Sequence, residues 1–98
     1  MSIHTDIKSK IAEAMKARDE VRLLVLRGIV AAFTNKLVML KKSTTEMLGD
    51  EDARAMLKKQ AKQRRDSIEQ FEKGGRKDLA DKERAELAVV EELTKNFA

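Results

Sequence analysis

Few side chains in this sequence could make or break bonds, and their spacing argues against most such chemistry. The lone histidine, His4, stands beside the N-terminus, where a chain is expected to fray. With no cysteine and no second histidine, a transition-metal site would lack its usual ligands. Ser2, Ser9, Ser43 and Ser67 follow no Gly-x-Ser-x-Gly pattern, and one distal histidine cannot complete a triad. Glu91 and Glu92 are adjacent, so on a helix they diverge by about 100° and cannot share one task. Glu83 and Glu86 stand one turn apart, but a solvated helix surface accounts for them. The sequence therefore offers no catalytic residue, cofactor site or metal site, and points to a non-enzymatic protein.

The remaining chemistry is electrostatic. From Lys58 to Lys77 there are eight Lys and Arg against three acids, a net +5, while Asp78 to Ala98 carries three bases against six acids, a net −3. A basic block beside an acidic tail can mark a polyanion site, or it can mark two helices attracting each other. Lys58, Lys62 and Arg65 recur at helical spacing and form one basic stripe. Gly74-Gly75-Arg76-Lys77 could present backbone amides, a helix N-terminus and two cations to an anion, or could simply punctuate two helices. The candidate polyanion-binding residues are thus Lys58, Lys62, Arg65, Arg76 and Lys77. Tyr and Trp are absent, and Phe33, Phe71 and Phe97 read as core or terminal residues, so no platform for stacking bases is evident. A nucleic acid bound here would be held by shape and charge, as structured RNA is.

Helices must position these groups. The chain has 98 residues, 39% of them charged and 3% aromatic, with no proline. That is the composition of helices packed on helices, within one domain spanning 1–98. The first helix is expected from Thr5 to Ala17, with Thr5 as N-cap and Ile7, Ile11, Ala14 and Met15 on one face. The second, from Glu20 to Lys41 with Asp19 as cap, carries Leu23, Leu26, Val30, Phe33, Leu37 and Leu40 at spacings of three and four. Val25, Ile29 and Ala32 broaden that seam, so this long helix is expected at the centre. Gly28 within it costs roughly 1 kcal/mol relative to alanine and could permit a close helix crossing.

Thr45 to Leu48 is read as a short turn. The third helix is expected from Glu51 to Lys73, with Ala53, Leu57, Ala61, Ile68 and Phe71 facing inward. Arg64 falls in line with that stripe, which predicts partial burial beside an acid. Gly74-Gly75 supplies a left-handed C-cap. The fourth helix is expected from Asp78 or Leu79 to Lys95, capped by Asp78, with Leu87, Val90, Leu93 and Phe97 as contacts. The fold class is all-α: a compact antiparallel bundle of about four helices. The N-terminus shows no signal peptide, and the apolar stretch from Leu23 to Phe33, interrupted by Arg27, is too short to span a bilayer. A cytoplasmic protein is expected, with no membrane association.

Several blocks resemble the GatB/YqeY family, in particular the N-terminal helical half of YqeY-like proteins. They are Arg22-Leu23-x-x-Leu26-Arg27 followed by Ala31-Ala32-Phe33 and Asn35; Lys62-Gln63-Arg64-Arg65-Asp66-Ser67-Ile68-Glu69; Phe71-Glu72-Lys73-Gly74-Gly75-Arg76-Lys77-Asp78-Leu79-Ala80; and Lys82-Glu83 with Glu86 to Glu92. The resemblance implies a link to tRNA-dependent amidotransferase components, with tRNA or a related amidotransferase protein as partner. Family members continue into a Tyr-Leu-Pro segment and a second helical domain resembling the tail of the amidotransferase B subunit. Here Leu93-Thr94-Lys95 stands at that point, and the tail-like domain is expected to be absent. The amidotransferase's catalytic domains have no counterpart in the sequence. The expected function is an accessory module that binds tRNA or another polyanion through a basic helix face. The alternative is a protein-interaction or homo-oligomerisation module without nucleic acid.

Overall fold

The computed structural model describes residues 2–98. Four helices follow one another, α1 (Ile3–Ala17), α2 (Glu20–Met39), α3 (Asp50–Lys73) and α4 (Lys77–Asn96), and no strand occurs among the described residues. The fold is all-α, as composition required. It forms two helical hairpins, α1 with α2 and α3 with α4, joined by the 40–49 loop, and α2 touches all three other helices. The bundle measures 42 × 31 × 22 Å.

The start of α1 differs from expectation. Ser2, not Thr5, is the N-cap: its Oγ accepts the Thr5 N–H at 3.1 Å. Ser and Thr provide the same capping oxygen, so a choice three residues too late was chemically indistinguishable in the sequence. The helix begins early because its first turn is anchored, not frayed. Ile3 N–H donates to Asp50 Oδ1 at 2.9 Å, and the Leu48 N–H donates to His4 Nδ1 at 2.8 Å. His4 is 3% exposed and meets Phe33 edge-on, with ring centroids 5.1 Å apart. Met15, expected on the inner face, is instead 54% exposed, with its sulfur 4.0 Å from Arg27 Nη2.

Asp19 caps α2 as expected, its Oδ1 accepting the Arg22 N–H at 3.0 Å. Leu26, Phe33 and Leu37 of the seam are fully buried together with Val25 and Ile29, while Leu23 and Val30 flank the core. Leu40 lies outside it, because α2 stops at Met39. Lys41 turns left-handed at φ 59°, and the Lys41 and Lys42 amides close the helix on the carbonyls of Val38 and Leu37. The same closure ends α1 at Arg18 (φ 56°) and α3 at Gly75 (φ 72°). Leu48, in the loop read as a turn, is 1% exposed and completes the core between α1 and α3. No described helix is long and apolar enough to cross a membrane.

Gly28 mediates no crossing within the bundle. It is exposed, and a β-carbon added there would meet nothing within 4 Å.

Candidate nucleic-acid interface

The α3–α4 hairpin carries the candidate residues, and its sharp Gly74-Gly75 corner sets their register. The Gly75 N–H donates to Glu72 O at 3.1 Å and the Arg76 N–H to Phe71 O at 2.8 Å, while Gly74 N–H reaches Gln70 O at 3.0 Å. These amides are therefore engaged in closing α3. The anion-nest reading of Gly74-Gly75 does not hold, because a nest needs those N–H groups free. Arg76 takes the N-cap position expected for Asp78. Asp78 pairs with Arg76 at 3.2 Å, and that hydrogen bond, helped by the Leu79 amide, holds the Asp78 carboxyl below the usual range while raising Arg76.

The antiparallel return of α4 explains Arg64. Its Nη1 lies 2.6 Å from Glu86 Oε2 and 3.2 Å from Glu83 Oε2, and its side chain is 22% exposed. Partial burial beside an acid is what the register required. The acids are a correction: Glu86 is buried at 6% exposure, and neither it nor Glu83 is idle solvated surface. Glu91 and Glu92 do diverge. Glu91 faces Arg65 of α3 at 3.6 Å, whereas Glu92 bonds Arg22 of α2 at 2.5 Å. The Glu92 bond raises the Arg22 guanidinium above its ordinary range.

The candidate cations fall into two groups. Lys58 and Arg65 line an open groove of about 430 Å³ between α3 and α4, with Ala61, Glu91, Thr94 and Lys95. Lys62 stands outside that groove, exposed and paired with Asp66 at 3.0 Å. Arg76 and Lys77 sit beyond the end of α3, roughly 15 Å further along the helix axis at about 1.5 Å per residue. Among the described residues, Lys58, Lys77 and Lys95 make no ion pair, whereas Lys62, Arg65 and Arg76 each face one carboxylate. Lys95 was missed because it belongs to the acidic tail. Counting equal distances from the double-glycine corner places Glu91, one turn earlier, opposite Lys58, so only the assembled hairpin brings Lys95 to the groove. No cluster of His, Cys, Asp and Glu suited to a metal occurs among the described residues.

A family model for YqeY-like proteins matches residues 4–95, nearly the whole chain. The chain belongs to the YqeY-like family. Among curated proteins, this YqeY-like chain is 33% identical over 85 residues to "Altered inheritance of mitochondria protein 41, mitochondrial" of Kluyveromyces lactis, covering 87% of the chain and 44% of that protein. A Lachancea thermotolerans protein of the same name is 29% identical over the same shares of both chains. "Uncharacterized protein C22F3.15" of Schizosaccharomyces pombe is 30% identical over 94% of the chain and 72% of its own length. The chain thus spans less than half the length of the mitochondrial relatives that it matches.

Proposed function

We propose that this YqeY-like chain is a non-enzymatic accessory module, residues 1–98 acting as one unit, that binds structured RNA of the tRNA class. The groove between α3 and α4 is the observation that supports this reading. Lys58 and Lys95 present ammonium groups at its edges, and Arg65 adds a guanidinium held only loosely by Glu91. Lys62 stands exposed outside the groove, and Arg76 and Lys77 form a second basic group at the corner. Cations in a row along a helix match phosphates of a folded backbone, and the lack of Tyr and Trp directs recognition to shape. A tRNA-amidotransferase-related protein is the partner that the family resemblance suggests. The relatives' printed name concerns mitochondria and names no RNA, so the RNA reading rests on the basic face.

A salt titration of tRNA binding tests it. Three to five phosphate contacts give log K against log salt a slope of roughly −2 to −4. Replacing Lys58, Lys62 and Arg65 by Ala together reduces the steepness of that slope by roughly two. Absence of binding at low salt sinks the proposal. Location was expected to be the cytoplasm, whereas the named relatives are mitochondrial; cell fractionation distinguishes the two.

A further inference from the structure

A second hollow adjoins the cationic groove, at the end of the bundle where the start of α3 meets the end of α4. Its volume is about 140 Å³, and it is lined by Arg54, Leu57, Lys58, Thr94, Phe97 and Ala98. Lys58, Thr94 and Ala98 line the groove as well, so the two hollows share a wall. Leu57 belongs to the core beneath it, while Phe97 is only half-buried and gives the rest of its side chain to the hollow. Arg54 stands at the rim. Its Nε donates to the Phe97 carbonyl at 2.8 Å, which restrains the planar guanidinium and leaves the two terminal nitrogens without a partner among the described residues. The Thr94 hydroxyl donates to the Val90 carbonyl at 2.9 Å and keeps a lone pair to accept with. Glu91 is the one acidic side chain lining either hollow among the described residues, and it already faces Arg65 at 3.6 Å.

We propose that this hollow takes one unpaired base of the bound RNA, stacked on Phe97, while the neighbouring phosphates lie on Lys58, Lys95 and Arg65. The inference rests on the RNA reading and adds to it a contact with a base. Size narrows the occupant. An apolar cavity of about 150 Å³ holds one benzene ring, so this hollow accommodates one planar ring and not the row of side chains that a partner helix would bring. Charge narrows it further. An apolar ring alone would need no cations, and a phosphate alone would need no apolar wall. A nucleotide carries a ring and an anion side by side, and an apolar pit against a cationic groove matches that pair. Phe97 provides the π-face, the Arg54 guanidinium a second planar surface, and the free Arg54 nitrogens and the Thr94 oxygen a donor and an acceptor for the edge of the base. In the sequence Phe97 is a residue at a helix end inside the acidic tail, and only the antiparallel return of α4 brings it beside Lys58. A paired base is stacked and bonded within its own duplex and cannot enter. The hollow therefore selects RNA that has loops or single-stranded ends over a plain duplex.

Fluorescence anisotropy with the 98-residue chain and three labelled RNAs at low salt tests it. The first is a blunt duplex, the second the same duplex with a short single-stranded tail, and the third the same duplex with a tail of abasic nucleotides. The two tails carry equal phosphates, so only the bases differ. The tail with bases is expected to bind about tenfold more tightly than the abasic one, the order of a single stacked base. Phe97→Leu keeps an apolar side chain against the core and removes the ring face, and it brings that ratio close to one. Lys58→Ala weakens binding of all three RNAs and leaves the ratio near its wild-type value, because it removes a phosphate contact and no stacking. Equal affinity of the wild-type chain for the two tails overturns the proposal while the RNA reading stands, and assigns the hollow to another occupant. A ratio that Phe97→Leu does not change overturns it as well. Absence of binding to any of the three removes the RNA reading and this inference together.

Discussion

The two hairpins are held together by different forces. Between α3 and α4 the contact is a ladder of charge: Arg64 to Glu83 and Glu86, Arg65 to Glu91, Arg84 to Glu72, and Arg54 Nε to the Phe97 carbonyl at 2.8 Å. Between α1 and α2 no ion pair occurs among the described residues; Ile3, Ile7 and Ala14 pack on Val25, Leu26, Ile29 and Phe33. The difference follows from composition. α3 is long and strongly polar, with only a narrow stripe of Ala, Leu and Ile, so its helix partner must be recognised by charge as well as by burial. α2 carries enough apolar surface to bury a core-facing stripe and still expose another. Specific pairing is thus built into one hairpin, and apolar burial into the other.

The sharpest way to break this contrast is at Arg64. Removing it by Arg64→Ala leaves Glu86 buried without its partner, which we expect to cost about 3 kcal/mol in urea unfolding. Replacing both groups, by Arg64→Met with Glu86→Leu, should recover most of that loss, because an apolar pair of similar volume needs no partner. If the double variant is as unstable as the single one, the pair does more than compensate its own burial.

The second way is through pH, and it acts on the apolar hairpin. Burial, and then Lys8, lowers the His4 pKa below its ordinary 6.5. The fold therefore prefers neutral His4, whose Nδ1 lone pair accepts the Leu48 amide. Stability from this contact is fully present above the unfolded value and is lost as pH falls through 6.5 toward the lower folded value. The loss proceeds at no more than about 1.4 kcal/mol per pH unit. Chemical unfolding of wild type and His4→Gln at pH 7.5 and pH 5 measures it: the wild-type decline in this window should be largely absent from the variant. Equal declines in both would assign the acid sensitivity elsewhere.

The smallest effects concern the corners. Gly75→Ala should destabilise by about 1–2 kcal/mol, the cost of a β-carbon in the left-handed region. Lys41→Gly should stabilise by up to about 1 kcal/mol, since relief of that cost is partly offset by glycine's greater freedom when unfolded. Thermal melts of the two variants should move in opposite directions.

What could be read in advance tracks how local the cause is. The α2 seam was legible because its periodicity runs for five turns. Arg64 was legible because a charge in an apolar register demands a partner. The corner at Gly75 was legible because only glycine accepts that backbone freely, while the equivalent corners at Arg18 and Lys41 carried no such sign. Leu48, Glu86 and His4 were hidden for one common reason: each is buried by residues distant in the chain. Leu48 looks like loop, Glu86 like solvated surface and His4 like a free end until the helices are assembled. In the candidate interface the basic stripe on α3 was visible as spacing, but Lys95 required the register of α4. The exposed stripe of α2 was present in the sequence at the same periodicity as the core seam, and only the assembled bundle separates the stripe turned inward from the one turned outward.

The anchoring of α1 also bears on the order of assembly. Both polar ties that seat its opening turn, Ile3 to Asp50 and His4 to Leu48, reach across 47 and 44 residues of chain. The opening turn of α1 can be fastened only once the start of α3 has been brought to it. Until then Ile3, Ile7 and the His4 ring have only α2 to lean on, and the first turn of α3, with Leu48 before it, acts as the clasp that closes over them.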